Sequence, residues 1–243
     1  KPTILLAFAN DSGDYLPSIN SERKAIYDLT RDYIDTEKIE STSVDNLIDE
    51  CRKQENIVIL HYGGHAGSDY LLFESSKGTT KANIDNLIHI IQQQSNLQLV
   101  FLNGCATDGQ VDILLKAGIK AVIATNVRIR DKTALAFSTR FYKSLANGET
   151  LQTAFEDAKN LICTEHGFDT SNIGIKRGFD FGNDRLNIKI PWGLFYNDET
   201  VLDWKLPKRR AGKYLSVFPK INISKFIGRK KPLQDLHQNL QSN

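Results

Sequence analysis

The sequence predicts an α/β protein with a mainly parallel central sheet and helices on both faces, a three-layer sandwich. Three observations carry this. Short apolar runs recur, such as TILLAFA from Thr3, the run entering HYGGHAG, LQLVFLN and AVIAT. Runs of this kind belong to strands buried on both faces. Stretches with apolar residues at helical spacing separate them. Two of the runs, Asn56–Gly67 and Leu97–Gly109, end in glycine-rich turns that each deliver a reactive side chain. In open α/β sheets, that edge is where sites form.

The elements follow in order. Thr3–Ala9 is the first strand and polar Asn10–Pro17 a loop. Ser18 or Ser21 precedes a helix carrying Ala25, Ile26, Leu29, Tyr33 and Ile34. A short strand is expected within Lys38–Ser43. Ser43 precedes a second helix with Val44, Leu47, Ile48 and the apolar-face Cys51, which reads as a buried structural thiol. The strand toward His65 follows, then Tyr70–Phe73 as a hairpin-like extension, a turn over Ser75–Thr80, and a helix over Ala82–Gln94. After the strand to Cys105, Val111–Ala117 is a short helix ended by Gly118. Ala121–Thr125 is a strand, Lys132–Leu145 a helix stopped near Gly148, and Thr150 caps another running through Ile162. Gly167–Asn187 reads as a long loop. Leu186–Tyr196 and Val201–Trp204 close the domain. Lys205–Lys213, with five basic residues and Pro207, reads as a linker.

Composition narrows the function. The chain has 243 residues, 40% apolar and 25% charged, which suits a soluble globular domain or a domain with an appendage. A net charge of +2 gives no overall pull toward nucleic acid or membrane surfaces. No apolar run approaches the ~20 residues that span a bilayer, and no signal peptide is visible. The chain begins with Lys1 and has no methionine, so it reads as a piece of a longer protein. Its three cysteines, Cys51, Cys105 and Cys163, lack the even count and spacing of a disulfide framework or a tetrathiolate zinc site. Reduced thiols in a cytoplasmic protein are expected.

The chemistry centres on His65 and Cys105. A thiol becomes an effective nucleophile beside an imidazole. Gly63, Gly64 and Gly104 let the backbone turn tightly next to both. The N–H groups of Ala66 and Cys105 are the natural donors for the oxyanion of a tetrahedral intermediate. His61 reads as a structural strand-end residue or as a support for the loop under His65. A zinc site from His61, His65 and Cys105 is disfavoured, because four-residue histidine spacing suits a helix face and this segment reads as strand. Cys163, near His166, sits at a helix end with no glycine turn and reads as core or surface.

These segments resemble a known family. HYGGHA at His61–Ala66 resembles the H-x-x-G-H-[GA] motif of CHAT domains, caspase-like peptidases related to separase. LNGCAT at Leu102–Thr107 resembles their nucleophile segment. Ile4–Asn10, Gly118–Thr125, Asn126–Asp131 and the helix Ala134–Leu145 match the family's surrounding elements, so similarity covers residues 1–205. Ala66 replaces the commoner glycine, and the tryptophan usual near Asn126 is absent. The resemblance implies a caspase-like fold, His65 as general base, Cys105 as nucleophile and no cofactor. It implies a cysteine endopeptidase acting on one or a few proteins, a gasdermin-like pore-former or a protein encoded nearby being the family-based expectation. A non-catalytic caspase-like scaffold that assembles partners is the alternative. An acid near Asp131 selects a basic side chain in relatives such as separase. Asp131 has a second reading, as cap of a helix beginning at Lys132, and Asp108 and Asp112 are rival pocket acids.

Past the linker at 206–222, residues 223–243 change character. FIGR at Phe226–Arg229 with Leu233 and Leu236 resembles the opening segment of STAND-type ATPase modules. No Walker A motif is present. This resemblance implies a peptidase effector fused to a nucleotide-dependent sensor in bacterial defence or cell death. The full-length protein would then oligomerise with adenine nucleotide.

Overall fold

A computed structural model describes residues 1–39, 42–166, 175–177 and 190–207. The chain divides into two compact units, residues 1–208 and 209–243. The second unit lies outside the described residues, and with it the segment read as the start of a STAND module.

The first unit is an α/β sandwich. Its strands are β1 Thr3–Phe8, β2 Asp35–Ile39, β3 Ile57–Gly63, β4 Tyr70–Ser75, β5 Gly78–Asn83, β6 Leu99–Asn103, β7 Ala121–Thr125, β8 Ile175–Arg177 and β9 Trp192–Tyr196. Its helices are α1 Ile19–Thr30, α2 Val44–Lys53, α3 Ile84–Gln92, α4 Val111–Lys116, α5 Asp131–Asn147 and α6 Leu151–His166. Seven strands form one sheet in the order β2-β1-β3-β6-β7-β9-β8, and β4 and β5 form a separate hairpin. All pairings in the large sheet are parallel except β7 with β9.

Strand alternation builds the two cores. Ile4, Leu6, Phe8, Ile59, Phe101 and Ile123 face α1, α5 and α6, where Ile26, Phe137, Phe141, Leu145 and Phe155 meet them. Leu5, Ala7, Leu60, Tyr62, Val100, Leu102 and Val122 face α2, α3 and α4, through Leu47, Leu87 and Leu114. Burying each such side chain contributes about 1.5–3 kcal/mol, so packing anchors the sheet on both sides.

The caps follow the expected chemistry. The Ser43 hydroxyl accepts from the Asn46 N–H at 3.1 Å, and the Thr150 hydroxyl from the Thr153 N–H at 3.1 Å. Gly148 ends α5 at φ 94°, in the left-handed region that glycine enters at least cost.

Several boundaries differ from the sequence reading. Helix α1 stops at Thr30, so Tyr33 and Ile34 lie beyond it and the next strand is Asp35–Ile39 rather than Lys38–Ser43. The Thr30 hydroxyl turns back to the Ile26 carbonyl at 2.8 Å and meets the Thr36 hydroxyl at 2.8 Å, which fixes the exit of the helix. Residues 78–83 form a strand instead of a turn and helix start. Pairing with β4 outcompetes the helical pattern there, and Asn83 caps α3 by accepting from the Asp85 N–H. Ile175–Arg177, inside the expected loop, is a strand alongside β9. The rest of that stretch lies outside the described residues, as do the side chain of His166 and the strand residues expected at 40–41.

Candidate active site

Strands β3 and β6 are neighbours, with Gly63 opposite Asn103. Two residues beyond that pair, on each chain, stand His65 and Cys105. Both line one pocket of about 280 Å³, together with Asp14, Leu16, Ile19, Glu22, Gly64, Asn103, Gly104, Arg128, Ile129, Asp131 and Ala134.

The His65 turn is held from below. The Tyr62 hydroxyl lies 2.7 Å from the His65 carbonyl and 2.6 Å from the Leu72 carbonyl, donating to one at a time, and accepts from the Leu72 N–H at 3.1 Å. Burial drives the Tyr62 phenol well above its usual range, so it remains a donor. A side chain at Gly64 would meet the Ala9 carbonyl at 2.5 Å. Glycine is therefore required by close packing there.

The Cys105 turn is clasped from the side. The Thr107 hydroxyl donates to the Leu102 carbonyl at 3.2 Å and accepts from the Thr125 N–H at 2.9 Å, while the Thr125 hydroxyl donates to the Gly104 carbonyl. Ala106 follows the thiol in the left-handed region at φ 52°, with its N–H on the Val127 carbonyl at 3.2 Å. The Cys105 Sγ lies 4.0 Å from the Ile129 carbonyl. Gln110, at the end of a short 3₁₀ turn over Thr107–Gln110, ties the two turns together. Its amide donates to the Gly67 carbonyl at 2.9 Å and the Tyr70 carbonyl at 3.2 Å.

The sequence reading did not find Asp14. Its backbone carbonyl sits 2.5 Å from Nε2 of His65, and its carboxylate 3.8 Å from the same nitrogen. A carbonyl oxygen only accepts, so Nε2 is the donor in this contact. The N–H groups of Ala66 and Cys105 make no hydrogen bond among the described residues.

The structure places the other candidates as follows. Asp131 lines the pocket but does not cap its helix. It is the first residue of α5, Arg130 is the cap, and the Asp131 carboxylate accepts from the Ser18 N–H at 2.6 Å. The acid thus joins the starts of α1 and α5, where negative charge meets both helix dipoles. Asp108 and Asp112 are not part of the pocket lining, and Asp112 pairs with Lys116 at 2.6 Å.

His61 is wholly buried against Phe8, Phe101 and Tyr142. Its Nδ1 lies 3.2 Å from the Tyr142 hydroxyl and its Nε2 3.3 Å from Glu22 Oε1, close enough for ion pairing but misaligned for a hydrogen bond. Among the described residues, no group of three or more His, Cys, Asp and Glu side chains stands where it could hold a metal ion. Cys51 is buried, and desolvation, then the Glu50 charge, pushes its thiol up to about 12. Cys163 is buried as well.

The fold is that of known cysteine proteinases. The chain superposes on the Arg specific cysteine proteinase gingipain R with a TM-score of 0.54 at 16% identity, over 84% of this chain and 48% of that one. The complex of the pro- and mature domains of Porphyromonas gingivalis RgpB gives 0.51 at 14%, over 84% and 49%. A secreted C11 cysteine protease from Bacteroides thetaiotaomicron, in complex with an irreversible peptide inhibitor, gives 0.52 at 10%, over 71% and 62%. The chain therefore spans about half of the gingipain chains and 62% of the C11 chain. The CHAT domain model matches residues 2–204, and the chain belongs to the CHAT domain family. No curated protein matches it. Among the described residues, no helix is long and apolar enough to cross a membrane.

Proposed function

We propose that the protein is a cysteine endopeptidase working through a dyad of Cys105 and His65. The observation that carries this reading is that adjacent parallel strands bring both residues to the lining of one pocket. The Asp14 carbonyl holds the ring so that Nδ1 serves as the base. Nδ1 takes the thiol proton, and the Cys105 sulfur attacks the peptide carbonyl carbon. The oxyanion collects on the Ala66 and Cys105 N–H groups. The imidazolium then returns its proton to the leaving amine as the C–N bond breaks. Water, deprotonated by the same ring, hydrolyses the thioester and restores the thiol.

The substrate is a protein chain, cut after a basic residue recognised with the help of Asp131. The family resemblance extends the reading to a cytoplasmic effector in bacterial defence or cell death. A gasdermin-like or neighbouring-gene protein is its target, and oligomerisation with adenine nucleotide its activation. A denatured peptide library digested by the wild type and by Cys105→Ala tests the core of the proposal. New termini after Arg or Lys that vanish in the variant are the expected result. Identical digests would overturn it.

A further inference from the structure

The loop between β7 and α5 passes directly beside the thiol. The Ile129 carbonyl lies 4.0 Å from the Cys105 Sγ, and Arg128 lines the pocket. Arg130 caps α5, and Lys132 is the second residue of that helix. All three cations are exposed. Among the described residues, their side chains make no ion pair, hydrogen bond or ring contact. Elsewhere on the domain many cations have partners. Lys53 meets Glu50, Lys116 meets Asp112, Arg140 meets Asp157 and Lys159 meets Glu156, while Lys38 and Lys81 lie over tyrosine rings. The acids that share the pocket lining with Arg128 are engaged elsewhere. Asp14 faces His65, Glu22 accepts from the Asn103 amide at 2.6 Å, and Asp131 accepts from the Ser18 N–H.

This placement runs against local stability. Cations at the start of a helix oppose its dipole, and α5 extends for 17 residues. Three like charges so close in sequence also repel one another. The loop is nevertheless held in place. The Asn126 N–H donates to the Pro191 carbonyl at 2.9 Å, the Val127 carbonyl accepts from the Ala106 N–H at 3.2 Å, and the Arg130 carbonyl accepts from the Thr133 and Ala134 N–H groups at 2.9 Å. The charges are thus presented on an ordered backbone, which lowers the entropic cost to a ligand. Beside them Val127, 48% exposed, is one of three large apolar side chains left exposed among the described residues.

An unanswered basic loop attracts negative charge, and its size says which kind. Ile129 and Lys132 are three residues apart, at most about 10 Å. Acidic side chains within about three positions of one another on an extended polypeptide fit that span. Nucleic acid is held by longer basic tracks, of about 6–10 phosphate contacts, and a net charge of +2 supplies no such field.

We propose that Arg128, Arg130 and Lys132 form a docking rim for an acidic segment of a protein partner. That this segment flanks the bond cut in a substrate rests on the peptidase reading above, and the two parts are tested separately. Fluorescence anisotropy on the full chain carrying Cys105→Ala compares two labelled peptides. Each has a central arginine–glycine pair, flanked on both sides by three glutamates in one and by three glutamines in the other. An exposed ion pair is worth about threefold, so the glutamate peptide is expected to bind about 10- to 30-fold more tightly in dilute buffer. Adding Arg130→Gln and Lys132→Gln should cut this preference to about threefold. Salt at 1 M, where screening acts within about 3 Å, should erase most of it. Equal binding of the two peptides, or a preference that the folded double variant keeps, overturns the inference. So does tighter binding of a labelled oligouridylate than of the glutamate peptide, which would make the rim a phosphate site. If the double variant does not fold, Arg130→Gln alone decides, with an expected threefold fall. The wild type is then given the same peptides. A binding preference without cleavage of either peptide sinks the peptidase reading and leaves the rim. Equal binding with equal cleavage does the reverse.

Discussion

The carbonyl oxygen of Asp14 stands 2.5 Å from Nε2 of His65, across 51 residues of sequence. That contact ties the His65 ring to the loop after β1, so the loop positions the ring as directly as the strand that carries it. Asn10 clamps this loop. Its Oδ1 accepts from the Asp11 and Leu16 N–H groups, and its amide donates to the Leu16 carbonyl. Asn10→Ala removes these bonds, each worth about 1 kcal/mol. Peptide turnover should fall about 10- to 100-fold while the far-UV circular dichroism spectrum is retained.

Removal of either member of the proposed dyad gives a second prediction. Cys105→Ala should abolish cleavage, and His65→Ala should lower it by about 10²–10⁴, the usual contribution of a positioned acid–base. A scaffold without chemistry would show the same biological output in both variants, so the substrate and the phenotype should be scored together.

Gly104 separates the two turns. A methyl group there would meet the Ala66 Cβ at 2.7 Å and the Gly64 carbonyl at 2.8 Å, and neither can swing aside. Gly104→Ala should cost about 1–3 kcal/mol of stability through overpacking. Activity should fall further than stability, because the displaced atoms are next to His65 and Cys105. Denaturant unfolding and turnover, measured on the same sample, check the pair.

Cys51 makes a prediction about alkali. Its folded thiol is pushed up to about 12 from an ordinary 9.0. A raised value means that stability is fully present below pH 9.0 and is lost as pH climbs toward about 12. Three pH units correspond to roughly 4 kcal/mol. The alkaline unfolding limb should shift to higher pH in Cys51→Val. In the native protein at pH 8, mass spectrometry after brief alkylation should find Cys105 modified and Cys51 untouched.

Trp192 offers the last test. Its indole stacks on Phe137 at 4.2 Å and donates to Asn103. Trp192→Phe keeps a ring on the stack and removes the donor, leaving a buried amide oxygen unanswered at a cost of about 1–3 kcal/mol. Thermal unfolding should register that loss.

The sheet was readable because apolar runs and turn glycines are local signals. His65 and Cys105 were readable for the same reason, each closing a run of its own. The residues around them were not. Glu22 meets Asn103 across 81 positions and Trp192 meets it across 89, and no spacing rule spans such distances. One sign of Glu22 was available, an acid three residues after Ile19 and four before Ile26, on the face that packs inward. The strand at 78–83 was hidden by its polar composition, GTTKAN, which pairs on the outside of the sandwich. Antiparallel pairing sets Trp192 opposite Thr125, in the core and not in the pocket lining.

That pairing also sets an order of events. The polypeptide leaves the ribosome with His65 and Cys105 long before β9. Until Trp192 arrives, Asn103 lacks its indole partner and the sheet ends at an open β7 edge. A nascent chain therefore carries both reactive groups without a finished cleft between them. Under the peptidase reading, translation itself keeps the enzyme quiet until its catalytic domain is nearly complete.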